Sequence, residues 1–279
     1  MKEPRQLLKR EAKERFRARY WPCVWVQAVL LLTSLAISWL TGQLVDLEAI
    51  TRAVITDFEA NAGQYLMYFL LTLLTGALFG AISIEASYFY LRMFRGEKVG
   101  LRDFFEGSVM DVGRKVGAYL WQALFLFLWG MAAATPLIII VLLIPTSAAV
   151  WLTTCGVVVV VAVKGLAYSM MAYIIRDCPE VTVRESLRQS IALMKGNKGK
   201  LFVLGLSFLG WMLLTSAAAY LPHVLGRGWW LPLTIACSIA SVLYVGPYIA
   251  ITMAGFYHAI RRGGLKNRVI GEAELEGAE

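Results

Sequence analysis

From Leu201 the chain is apolar for about twenty residues, enough to cross a bilayer as a helix. The stretch just before it has a different pattern. Val183, Leu187, Ile191 and Met194 recur at helical spacing, with Arg184, Glu185, Arg188 and Gln189 on the other face. Thr182 followed by Glu185 gives a capping-box start, and Gly196-Asn197 supplies residues that readily take a left-handed helix stop. Lys195, Lys198 and Lys200 crowd the turn. The pattern predicts an amphipathic surface helix over about 182–195, a basic elbow at Gly196, Asn197 and Lys198, and then a membrane span.

The same order occurs twice more. Residues 2–19 are rich in Lys and Arg and carry a narrow stripe of Leu8, Ala12, Phe16 and Tyr20, ahead of an apolar run over about Trp21–Leu40. That stripe predicts a basic helix resting on anionic lipid, each nearby cation adding ~1 kcal/mol. Residues 101–112 place Leu101, Phe104, Phe105, Val109 and Val112 on one predicted face, and Gly113 opens the way into a run over about Ala118–Leu143. Aligning the elbows makes Ala18, Gly113 and Gly196 equivalent, consistent with three copies of surface helix, elbow and two-span hairpin. The alternative is that any membrane protein obeying the positive-inside rule would place basic residues there.

The remaining apolar runs are about Gln64–Arg92, Ala148–Ile175 and Leu231–Ile260. The first contains Gly76 and Gly80, a spacing that lets helices approach closely. The last contains Gly246, Pro247 and Tyr248, where a kink is expected. Pro145 marks a turn, the acidic segment Thr41–Ala62 and the aromatic loop His223–Trp230 read as connections, and 263–279 reads as a short tail. The fold class is therefore all-α: an integral membrane bundle of six transmembrane helices over 1–262, with amphipathic surface helices on the cytoplasmic side.

Charge sets the expected orientation. Of 27 Lys and Arg, all but Arg52, Lys164 and Arg227 fall in the N-terminal arm, Arg92–Lys115, Arg176–Lys200 and the tail. Placing those segments inside satisfies the positive-inside rule, with both termini cytoplasmic in a bacterial plasma membrane. Only 16% of residues are charged, and the mean hydropathy is +0.63. Concentration of the +8 net charge at membrane borders argues against a nucleic-acid partner. The 4 cysteines form no CxxC or Cys/His ligand spacing, so neither a metal site nor a disulfide framework is expected.

Several segments together resemble one bacterial family. They are Ser190-Ile-Ala-Leu-Met-Lys-Gly-Asn-Lys198, Leu201-Phe202, Leu206-Ser-Phe-Leu-Gly-Trp211, Gly246-Pro-Tyr248 and Gly255-Phe-Tyr257. Lys164-Gly-Leu-Ala-Tyr-Ser-Met170, leading to Asp177-Cys-Pro179, adds to the set. They resemble the polytopic membrane proteins catalogued as domain of unknown function 975. One departure is Thr146 after Ile144-Pro145, where the family's turn carries glycine. The resemblance implies an integral membrane protein and names no activity.

Catalytic patterns do not emerge. The 2 histidines, His223 and His258, form no HExxH, and Gly196-Asn-Lys-Gly-Lys200 is too short for a phosphate loop. A non-enzymatic protein with no cofactor is expected. Its expected partners are membrane lipids, anionic ones above all, or an unidentified protein, in envelope homeostasis or as an accessory to a membrane complex. The candidate polar site is Glu85, Lys164, Tyr168 and Ser169. Glu85 and Lys164 fall inside apolar runs, where a charge is expensive and marks a functional candidate. Counted from Arg92 and Arg176 they lie ~10 and ~18 Å from the charged ends, close enough for a long lysine stem to bridge. Such a pair could serve a small transporter or lipid translocator, or simply lock two helices together.

Overall fold

The computed structural model describes residues 4–44, 62–143, 147–225 and 241–262, with a few single positions between 232 and 239. The described residues form helices and no strands. In chain order these are α1 (Pro4–Ala18), α2 (Tyr20–Leu44), α3 (Ala62–Phe94), α4 (Leu101–Val109), α5 (Val112–Leu143) and α6 (Ser147–Tyr168). They continue with α7 (Met171–Asp177), α8 (Val183–Met194), α9 (Lys198–Leu225) and α10 (Gly246–Arg261), the last entered through a π-helical turn at Ser241–Val245. Among the described residues, four segments are long and apolar enough to cross a membrane: Tyr20–Gln43, Leu66–Phe94, Val112–Pro136 and Trp151–Asp177.

Burial divides each long helix in two. The main core gathers Leu8 and Phe16 of α1, Cys23 and Val26 of α2, and Phe89 to Phe94 of α3 with Phe104 of α4. Tyr173 and Ile174 of α7, Met194 of α8, Leu201, Leu204 and Phe208 of α9, and Ile251 to Ile260 of α10 complete it. A smaller cluster joins Ile84, Ala118, Tyr168, Ile175 and Leu187. Away from this end the helices expose large apolar side chains, among them Leu35 and Trp39 of α2, Leu66 and Phe69 of α3, and Trp151 and Leu152 of α6. The molecule is a packed helical head from which apolar helices project, and their outward Leu, Phe and Trp side chains suit lipid.

Local sequence accounts for the joints. Thr182 caps α8, its Oγ1 accepting the Glu185 N–H at 3.3 Å. Asp103 closes the first turn of α4 by accepting the Gly100 N–H at 2.8 Å. Gly80 brings α3 against α5: a Cβ there would collide with the Tyr119 ring, and one at Gly76 would lie 2.9 Å from the Tyr119 hydroxyl. The small-residue pair is thus filled by an aromatic ring from the neighbouring helix.

The structure departs from the sequence expectations at four places. The Leu8, Ala12 and Phe16 stripe is 3%, 0% and 1% exposed, so α1 is docked into protein and does not rest its stripe on lipid. The buried face of α8 is Ser186, Leu187, Ser190 and Met194, while Ile191 is exposed. On α4, Phe104 turns inward and Phe105 and Val109 turn outward. The described part of the expected last span, α10, is core of the head, with buried residues from Pro247 to Ile260. Hydropathy does not distinguish an apolar helix in lipid from one inside an apolar head. The segments around 45–61, Pro145, 226–231 and 263–279 lie outside the described residues, as does most of the expected span ahead of Ser241.

Candidate functional site

Glu85 sits near the head end of α3 with two cationic partners. Its Oε1 accepts from Arg176 Nη2 at 3.1 Å, and Arg176 Nε lies 2.8 Å from Oε2, although that N–H is not aligned for a bond. Lys115 Nζ donates to Glu85 Oε2 at 3.3 Å, to the Gly107 carbonyl at 2.6 Å and to the Ser108 carbonyl at 3.0 Å. Glu85 is 3% exposed and Lys115 1%. The outer lip is Asp111, whose carboxylate is 3.7 Å from Arg176 Nη1, and the Arg176 guanidinium lies 5.1 Å from the Tyr88 ring. Close packing of α4 makes this possible, since a Cβ at Gly107 would collide with Glu85 Oε1. Four elements, α3, α4, α5 and α7, therefore meet on one carboxylate.

The expected Glu85–Lys164 pair is not formed. Lys164 Nζ lies 3.3 Å from the centre of the Trp129 ring, bracing α6 against α5. A cation on a tryptophan face is attracted by the ring quadrupole, so this lysine has a local partner without a carboxylate. The sequence estimate failed because α3 enters the head before Arg92, which brings Glu85 level with Lys115 and Arg176. Tyr168 is buried in the smaller cluster, and Ser169 lies in the turn between α6 and α7, donating to the Leu166 carbonyl at 2.8 Å. The four candidate residues are not gathered into one site.

A second carboxylate, Asp177 at the end of α7, ties the turn after α3 to α10. Arg95 grips it with two bonds of 2.7 and 2.9 Å, Tyr257 donates at 3.0 Å, and Arg261 also donates to it. Tyr257 stacks on Tyr173 with ring centres 5.1 Å apart. Burial, and then the Arg95 guanidinium, lower the Arg261 pKa from its ordinary value. Both acid nodes have their charges satisfied within the protein, which is the chemistry of a clamp.

The elbow residues take separate positions. Gly196 has φ +81, the left-handed region, between α8 and α9. Asn197 Nδ2 donates to the Leu193 carbonyl at 3.0 Å and its Oδ1 accepts from Lys200 at 2.9 Å, while Lys198 begins α9. Gly113 is different: it lies inside α5 with open space around it, and the positive φ of that elbow, +50, belongs to Asp111. An aspartate tolerates this conformation better than most side chains.

Open space with chemical character lies at α1. A cleft of about 470 Å³ is lined by Gln6, Lys9, Arg10, Lys13, Glu14, Arg17 and Tyr248. It adjoins a second of about 160 Å³ lined by Lys13, Trp211, Tyr244, Val245 and Tyr248. The expected kink builds this wall. The π-helical turn delivers Gly246 against Gln27, where a Cβ would meet the side-chain amide at 3.0 Å, and Pro247 begins α10. Tyr248 then packs edge-on against Phe208 and directs its hydroxyl toward the Lys9 carbonyl at 3.5 Å.

The family model described as Protein of unknown function (DUF975) matches residues 1–263. The chain belongs to this family. No curated protein and no solved structure matches it.

In this DUF975 member, sequence reasoning missed Lys115, Arg176, Arg95 and Asp177 as partners of buried groups. Lys115, Arg176 and Arg95 flank apolar runs, so they counted only toward topology. A usable signal was the spacing: Lys115 is three residues into α5 and Arg176 one from the end of α7, both on helices that must meet α3. The aromatic cleft was half visible, through the basic arm and through Gly246, Pro247 and Tyr248, but nothing in the sequence brought these two ends of the chain together.

Proposed function

We propose that this is a non-enzymatic integral membrane protein that binds anionic lipid at the cytoplasmic surface, acting in envelope homeostasis or as an accessory to a membrane complex. One observation carries the reading. The apolar stripe of α1 is spent on the protein core, so Arg10, Lys13 and Arg17 are exposed on a docked helix instead of a loose arm. A fixed cationic face meets anionic lipid with little ordering cost. At ~1 kcal/mol for each cation, the effect is useful at low salt and weakens as the Debye length falls to ~10 Å at 0.1 M.

The proposal includes six crossings, with the head and both termini inside a bacterial plasma membrane. The basic composition of the head supports that orientation. The sixth crossing rests on the sequence alone, on the apolar run that begins at about Leu231 and leads into α10. The helix-to-span pairs α1–α2, α4–α5 and α8–α9 support the threefold repeat. The translocator alternative loses its motivating pair, because Glu85 and Lys164 have separate partners.

The test is native mass spectrometry of the full chain released from membrane nanodiscs. Anionic phospholipid should remain attached in preference to phosphatidylcholine. Equal retention of both would sink the reading. A co-released protein without lipid would replace it with partner binding.

A further inference from the structure

We infer that the cleft between α1 and the Tyr244–Tyr248 turn is a discrete site for the phosphate of one anionic phospholipid, with the glycerol-ester region against Trp211 and Tyr244. This rests on the lipid-binding reading above and narrows it to a single place.

The cleft changes character along its length. Its wide part carries Lys9, Arg10, Lys13 and Arg17 against one acid, Glu14. Lys9, Lys13 and Arg17 recur every four residues, so they form a row along one side of α1, about a helical turn apart. Lys9 is also held by the protein, donating to the Ser207 carbonyl at 3.4 Å and lying 4.3 Å from the Phe208 ring centre. The excess of positive charge favours an anionic occupant, and guanidinium groups suit the oxygen geometry of a phosphate.

The narrow part is aromatic and shares Lys13 and Tyr248 with the wide part, so one molecule can reach both. Trp211 is 51% and Tyr244 41% exposed, at the level where α9 leaves the core after Phe208. That is the boundary between head and projecting helices, where tryptophan and tyrosine sit against headgroups and ester groups. A free phosphate would use only the cationic part. A phospholipid uses both, and in the order in which they occur. The pinned stripe of α1 and the packed Tyr248 keep the two parts in register.

The experiment uses the full chain in phosphatidylcholine nanodiscs titrated with phosphatidylglycerol, adducts being counted by native mass spectrometry. The wild type should hold one phosphatidylglycerol more tightly than the rest. Lys13→Gln with Arg17→Gln should weaken that first adduct about tenfold or more, as expected from losing two charge-assisted contacts. Arg184→Gln with Lys195→Gln removes equal charge from exposed positions on and beside α8 and should change it less than about twofold. Lys13→Arg with Arg17→Lys should retain binding. These side chains are exposed, so thermal unfolding should stay within a few degrees of wild type, and a folded charge-neutralised variant that binds normally overturns the site. Equal weakening in both neutralised pairs would also overturn it, leaving diffuse lipid attraction intact. Absence of any preferred anionic adduct on the wild type would overturn both readings. Glycerol 3-phosphate, added at the concentration that phosphatidylglycerol needs, should fail to displace the lipid. Displacement would show that the aromatic part contributes nothing and would overturn the assignment to a lipid.

Discussion

Removing the charge of Glu85 leaves Lys115 and Arg176 facing each other in a buried place. Glu85→Gln should therefore destabilise the detergent-solubilised protein by about 3–5 kcal/mol, measured by thermal or denaturant unfolding. In double-mutant cycles, Glu85→Gln and Lys115→Met should couple by about 1 kcal/mol or more, whereas Glu85→Gln and Lys164→Met should add within about 0.5 kcal/mol. Strong coupling to Lys164 would restore the intramembrane pair that the sequence suggested. Gly107→Ala tests the same node from the side of α4. Its methyl group would strike the Glu85 carboxylate, and a loss of about 1–3 kcal/mol is expected. A Gly107→Ala protein as stable as wild type would mean that α4 does not press on the carboxylate. At this scale the sequence showed that Glu85 was unusual and hid its partners. A charge at a span border has a sufficient topological explanation, so Lys115 and Arg176 raised no question of their own.

Elements are joined by short elbows of different construction, and these give opposite predictions for two glycines. Gly196→Val should cost about 1 kcal/mol or more, because a β-branched residue fits φ +81 poorly, while Gly196→Asn should be milder. Gly113→Ala should be neutral or stabilising by up to about 1 kcal/mol, since the site is helical and open. Melting temperatures of the three variants decide it, and a stabilised Gly196→Val would sink the left-handed joint. The elbow at Gly196 was legible because glycine followed by asparagine after a periodic stripe leaves few other readings. The elbow at Asp111 was not, because aspartate adopts positive φ only where packing demands it. Burial of Ser186 and Ser190 was equally hidden: serine reads as a polar face until the Ala167 carbonyl, 2.8 Å from the Ser190 hydroxyl, supplies its partner.

At the scale of the whole molecule, the long apolar runs were plain in the sequence and the head was not. A helix such as α3 stays predominantly apolar from lipid-suited residues at Leu66 to core residues at Phe94, and the polar positions between them, Ser83, Glu85 and Ser87, do not themselves tell which segments cover it. The distinction depends on which distant segments cover it. Orientation remains open to direct measurement with an impermeant maleimide, in a background lacking reactive cysteines. Cysteine at Gly63, an exposed position at the far end of α3, should label on intact cells, and cysteine at Lys98 or Lys195 only after permeabilisation. Labelling at Lys195 from outside would reverse the proposed orientation.

The docking of α1 on α10 also constrains how the chain is made. During synthesis α1 emerges with Leu8, Ala12 and Phe16 waiting for Ile251, Phe256 and other residues that are translated much later. Projecting helices can enter the bilayer as they emerge, but the head cannot close until α10 has been made. A nascent or truncated chain therefore leaves an apolar, basic helix uncovered, the kind of surface that chaperones recognise. Emergence of α10 and concealment of the apolar face of α1 are thus one event, and every copy that stops short of α10 carries a ready mark.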